Sequence, residues 1–101
     1  MVKIINGKKY STQTAKELGY NCHGSPSDFS YYREALYLKR TGEFFLHGQG
    51  NAASKYSVSV GNNSRCGGAE IVPMTIDEAK AWAESNLSAE EYEAIFGEVE
   101  E

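Results

Sequence analysis

Few residues in this chain are equipped for chemistry. Cys22, His23, His47 and Cys66 are all of its cysteines and histidines. Two thiolates and two imidazoles form a complete donor set for tetrahedral zinc. Their spacing fits that use poorly, because there is no C-x₂-C pair and adjacent residues such as Cys22 and His23 rarely aim both side chains at one ion. Three readings stand. The four could hold zinc, Cys22 and Cys66 could form a disulfide, or all four could be unconnected side chains. A reducing compartment disfavours the disulfide. Cys66 with His47, or Cys22 with His23, can be written as a thiol–imidazole dyad, but no local signature of nucleophilic catalysis accompanies either. No catalytic residue is assigned, no resident cofactor is expected, and the chain reads as non-enzymatic.

Residues 48–53, Gly-Gln-Gly-Asn-Ala-Ala, match G-x-G-x-x-A after a strand-like run, and Glu70 follows about 20 residues later. A dinucleotide fingerprint requires a helix directly after the glycines, whose N-terminus holds the pyrophosphate. Residues 55–60 have strand period instead. The glycines are therefore expected to allow a tight connection between strands.

These residues are positioned by a chain of 101 residues, enough for one domain spanning 1–101 and a modest core. No apolar run approaches the length of a membrane span. The first seven residues turn polar too soon for a signal peptide, so the expected location is the cytoplasm of whatever cell makes the protein. The expected fold is α+β: a small antiparallel sheet of about four to five strands, a short N-terminal helix and two short C-terminal helices. Asn6-Gly7 predicts a type I′ hairpin turn. A short helix is expected over 14–18, and a loop over 20–28. Residues 31–40 alternate, with Tyr32, Leu36 and Leu38 on one face and Arg33, Ala35, Tyr37 and Lys39 on the other. Thr41-Gly42 turns the chain into strand-like 43–47. Residues 55–60 predict a further strand with Tyr56, Val58 and Val60 inward, 61–69 a polar loop, and Ile71-Val72 a last strand ended or edged by Pro73. Thr75…Glu78 and Ser88…Glu91 are capping boxes. The helices behind them bury Ile76, Ala79, Trp82 and Ala83, then Tyr92, Ile95 and Phe96, and Gly97 ends the second.

Charge is unevenly distributed. Residues 1–69 hold nine bases and four acids, a net of +5, while 70–101 hold ten acids and one base, a net of −9. That polarity argues against direct nucleic-acid binding and favours a protein partner with a basic groove. Acids in the first turn of a helix also have a purely local explanation in the helix dipole. A second feature is aromatic. Tyr31 and Tyr37 should share a face with Arg33, residue types favoured at binding hot spots. That face is either an exposed surface or covered by the N-terminal segment.

The segments LYLKRTGEFFLHGQGNAASKY, GNNSRCGG and IVPMTIDEAKAWAESNLSAEEYEAIFGEVEE resemble small acidic proteins carried by phages and conjugative elements of Gram-positive bacteria. The resemblance covers about two-thirds of the chain and contains no catalytic motif. Accessory proteins of this kind resemble inhibitors of host defence, including anti-CRISPR proteins of type II systems. The resemblance implies a non-enzymatic inhibitor that blocks guide or target DNA loading, or cleavage, by mimicking DNA with an acidic surface. Asp77, Glu78, Glu84, Glu90, Glu91 and Glu93 are the expected contacts, with Tyr31, Arg33 and Tyr37 as a second patch. The alternatives are another mobile-element binding protein, anti-restriction or regulatory, and a small zinc-binding domain. No membrane partner is expected.

Overall fold

The computed structural model describes residues 1–61 and 64–101. In chain order the elements are β1 (Val2–Ile5), β2 (Lys8–Ser11), β3 (Lys16–His23), β4 (Tyr32–Leu38), β5 (Phe44–Gly50), β6 (Val58–Ser59), β7 (Arg65–Cys66), β8 (Gly68–Met74), α1 (Ile76–Asn86) and α2 (Ala89–Phe96). The class is α+β. Strands β3, β4, β5 and β8 form one antiparallel sheet in the order β3-β4-β5-β8. Among the described residues, no helix is long and apolar enough to cross a membrane.

The alternation of β4 divides the core into two layers. Leu36, and Leu46 beside it in register, face the helices and pack with Ala79, Trp82 and Ala83. On the opposite face Phe45 and Ile71 pack with Tyr10 of the N-terminal hairpin, and Ile5 and Tyr37 lie against them. Full burial of each large apolar side chain contributes roughly 1.5–3 kcal/mol, and Phe45 and Leu36 are wholly enclosed. The sheet is thus covered by helices on one face and partly by β1–β2 on the other. Asn6 and Gly7, at φ 52° and 76°, close that hairpin with the expected I′ geometry.

Both helices begin at the expected capping boxes, on Thr75 with Glu78 and on Ser88 with Glu91. Gly97 ends α2 at φ 93°. β8 is an edge strand, which accommodates Pro73 near its end.

Four local expectations are corrected. No N-terminal helix forms over 14–18; a single turn closes from Ala15 N–H to Ser11 C=O, and the chain enters β3. Such a helix would have only Ala15 and Leu18 to bury, whereas β3 gains a full ladder with β4. The expected loop over 20–28 is correspondingly shorter, because Tyr20 to His23 belong to that strand. Residues 55–60 do not join the main sheet. The place beside β5 is taken by β8, and only Val58–Ser59 pair, with β7. Tyr56 is buried as expected, but Val58 and Val60 are exposed. Ile76 is also exposed, at the helix start, while Ala79, Trp82 and Ala83 are buried. Residues 62 and 63 of the expected 61–69 loop lie outside the described residues.

Candidate partner-binding surface

The most deeply buried charged side chain of the described residues is one that sequence reasoning missed. Glu34 sits mid-strand in β4, only 2% exposed. Its carboxylate accepts from Trp82 Nε1 at 2.9 Å and from the Tyr56 hydroxyl, and pairs with Lys55 Nζ at 2.7 Å. Burial alone would raise its pKa; the three donors outweigh burial and hold it below the ordinary carboxylate value. Burial and the neighbouring carboxylate push the Tyr56 phenol up. The cluster ties β4, the 51–57 segment and α1 together. The signal in the sequence was the period of β4, which places Glu34 on the same face as Leu36.

The candidate metal ligands are not brought together. Cys22 and His23 are consecutive strand residues and point to opposite faces. His23 stacks on Tyr32 at 4.3 Å, while Cys22 Sγ accepts from the Tyr31 hydroxyl at 3.7 Å. His47 is half-buried in β5, and burial lowers its pKa. Cys66 lies in β7, opposite Val58. Both cysteines are exposed free thiols. Among the described residues, no group of three or more His, Cys, Asp or Glu is placed to hold a metal ion. The G-x-G stretch is also not a phosphate loop. Gly48 and Gly50 lie inside β5 and a turn follows them, not a helix. The connection expected there is instead a strand, kept bare so that Tyr56 and Ser54 can pack on it.

The aromatic patch is divided between both expected outcomes. Tyr37 is stacked on Phe45 at 5.1 Å, in the layer covered by the hairpin, so packing occupies it. The other end of the same face is open. There Arg33 lies 4.6 Å over the ring of Tyr20, which is 57% exposed, and pairs with Glu17 at 3.2 Å. Tyr31 lines a shallow concavity of about 380 Å³ with Gln49, Gly50, Asn51, Gly68 and Ala69.

The helix acids fall into two groups. The carboxylates of Glu78 and Glu91 accept from the backbone N–H of Thr75 and Ser88, at 2.9 and 3.2 Å. Glu93 accepts from Val99 N–H at 3.1 Å. Asp77, Glu84 and Glu90 are exposed and make no side-chain hydrogen bond or ion pair among the described residues. Of the four acids before residue 70, all but Asp28 are matched by bases. Glu17 pairs with Arg33, Glu34 with Lys55, and Glu43 with both Lys8 and Lys39. The one base of the last third, Lys80, lies 5.8 Å over the ring of Phe96. The helical layer therefore carries negative charge that nearby cations do not neutralise.

No protein-family model, curated protein or solved structure matches this chain.

Proposed function

We propose that this chain is a non-enzymatic binding protein that inhibits a type II CRISPR effector nuclease by laying its acidic helical layer in a basic channel. Such an effector holds its guide–target heteroduplex in a positively charged channel and reads it through backbone geometry. A layer of carboxylates can compete for the arginines and lysines that otherwise meet phosphates. One observation carries the reading. Three of the four acids outside the last third are ion-paired, whereas the acids of the last third form no ion pair among the described residues. Charge held apart from counter-charge steers association with an oppositely charged partner. Asp77, Glu84 and Glu90 are the contacts that the partner neutralises. Glu78 and Glu91 contribute to the field while capping their helices, and Tyr31 and Arg33 form a separate contact on the open end of the sheet.

The test is reconstituted cleavage of target DNA by purified type II effectors, with this protein in excess. Cleavage should fall, more steeply at low salt than at high salt. Unchanged target binding and cleavage across several effectors would overturn the proposal. Inhibition that survives reversal of Asp77, Glu84 and Glu90 to lysine would overturn the electrostatic mechanism alone.

A further inference from the structure

A concavity lies between α1, α2 and the segment after α2. Its volume is about 510 Å³, within the range of sites that bury a ligand. Its floor is apolar: buried Ala83 near the end of α1, with half-buried Leu87 from the turn and Tyr92 from α2, while Val99, 59% exposed, stands at its edge. Its rim is acidic, with Glu84 on one side and Glu93 and Glu101 on the other. Glu93 spends one oxygen on Val99 N–H, while Glu84 and Glu101 make no hydrogen bond or ion pair among the described residues. The nearest base in sequence, Lys80, is turned to Phe96.

We infer that this groove receives an arginine side chain from a basic segment of a partner protein. The inference rests on the proposed protein-binding role and locates it on one part of the acidic layer. An apolar floor beneath a carboxylate rim suits a side chain with an apolar stem and a cationic head. Arginine buries its methylenes along apolar surface and keeps its guanidinium at the edge. Its planar head stacks on an aromatic ring and bonds carboxylates through two nitrogens at once, which lysine cannot do. Tyr92 supplies the ring, and Glu84 and Glu101 supply the carboxylates. A phosphate or other anion is disfavoured by the same rim. A neutral apolar side chain would fill the floor but leave the carboxylates unused.

The probe is the tripeptide amide N-acetyl-Leu-Arg-Leu, with its citrulline counterpart as an uncharged isostere, titrated into the ¹⁵N-labelled full chain. Amide shifts are expected at Ala83, Leu87, Tyr92 and Val99 with the arginine peptide and not with citrulline. Glu84→Gln should weaken binding by about threefold, the worth of one partly shielded ion pair. Glu70→Gln removes the same charge from an exposed site outside the groove and should leave affinity unchanged. Equal effects of the two substitutions, or shifts spread over all helix acids, would overturn the inference in favour of general charge attraction. Groove shifts that follow protein concentration without peptide would also overturn it, with a second copy as the occupant. Inhibition of a nuclease without groove binding would overturn the groove and leave the proposed function standing. Groove binding without nuclease inhibition would support the groove and count against the nuclease as partner.

Discussion

The ring of Tyr56 packs directly on the backbone of Gly48, in space that a Cβ at Gly48 would occupy. That contact allows the Tyr56 hydroxyl to reach Glu34 from across β5. Gly48→Ala is therefore expected to destabilise the fold by about 1–3 kcal/mol through overpacking. Most of that cost should vanish in a Tyr56→Ala background, because the clash needs both side chains. Urea unfolding of the four proteins of this double-mutant cycle measures the coupling. Additive effects would show that the ring does not depend on the bare position.

Glu34 is the second point at which the fold can be broken by one change. Glu34→Ala strips the partner from the Trp82 and Tyr56 donors and from the Lys55 ammonium, and should cost about 3–5 kcal/mol. Lys55 is half exposed, so water can replace much of what it contributes. Lys55→Ala should cost only about 1 kcal/mol. Far-UV circular dichroism against urea gives both values without relying on the tryptophan. A Glu34→Ala protein as stable as Lys55→Ala would mean that the buried donors find other partners.

What the sequence made legible divides along the same line. The helices were readable because their signals are local: a hydroxyl at Thr75 or Ser88, a glutamate three residues on, and an apolar stripe. The I′ turn at Asn6-Gly7 and the alternation of β4 are equally local. β3 was not readable, since Lys16-Glu17-Leu18-Gly19-Tyr20 has no clean apolar alternation. It is an edge strand that interrupts its own register near Gly19, and a Cβ at Gly19 would meet Leu87 from the far end of the chain. Gly48 and Gly50 resemble loop residues for the same reason: their bareness serves a tertiary contact that no local pattern encodes. The Glu34 strut joins residues 22 and 48 positions apart, so only the inward phase of β4 hinted at it. Of the candidate site, the excess of acid was plain from the count of charges. The division between carboxylates that cap helices and carboxylates that face solvent unpaired needed the structure.

Glu43 gives the fold a pH dependence that can be read at one residue. The ammonium of Lys8, then Lys39 and the Thr41 hydroxyl, hold its carboxyl at about 2 instead of the ordinary 4.5. A carboxyl lowered on folding contributes stability that is fully present above 4.5 and is lost as pH falls towards 2. Side-chain ¹³C titration should place the Glu43 midpoint at about 2, well below the ordinary 4.5. In Glu43→Gln, the stability difference from the parent should shrink between pH 4.5 and 2. High salt should weaken the effect, since the pair is exposed. A midpoint near 4.5 would show that the Lys8 bridge between β1–β2 and the β4–β5 turn does not persist in solution.

The acids of the helical layer should separate by substitution into those that hold helices and those that face a partner. Thr75→Ala and Ser88→Ala each remove a side-chain acceptor from a backbone N–H, at Glu78 and Glu91. Each should cost about 1 kcal/mol. Glu78→Ala and Glu91→Ala remove the reciprocal half of each box and should also lower stability. Asp77→Asn, Glu84→Gln and Glu90→Gln touch no cap and should change stability by less than about 0.5 kcal/mol each. Those same three should account for most of the salt-dependent association with a basic partner, because they carry exposed charge without a counter-ion among the described residues. Thermal unfolding and the salt dependence of binding, measured on one set of variants, test both halves. Loss of stability in the second group, with unchanged association, would show that the layer's charge serves the fold and not a partner.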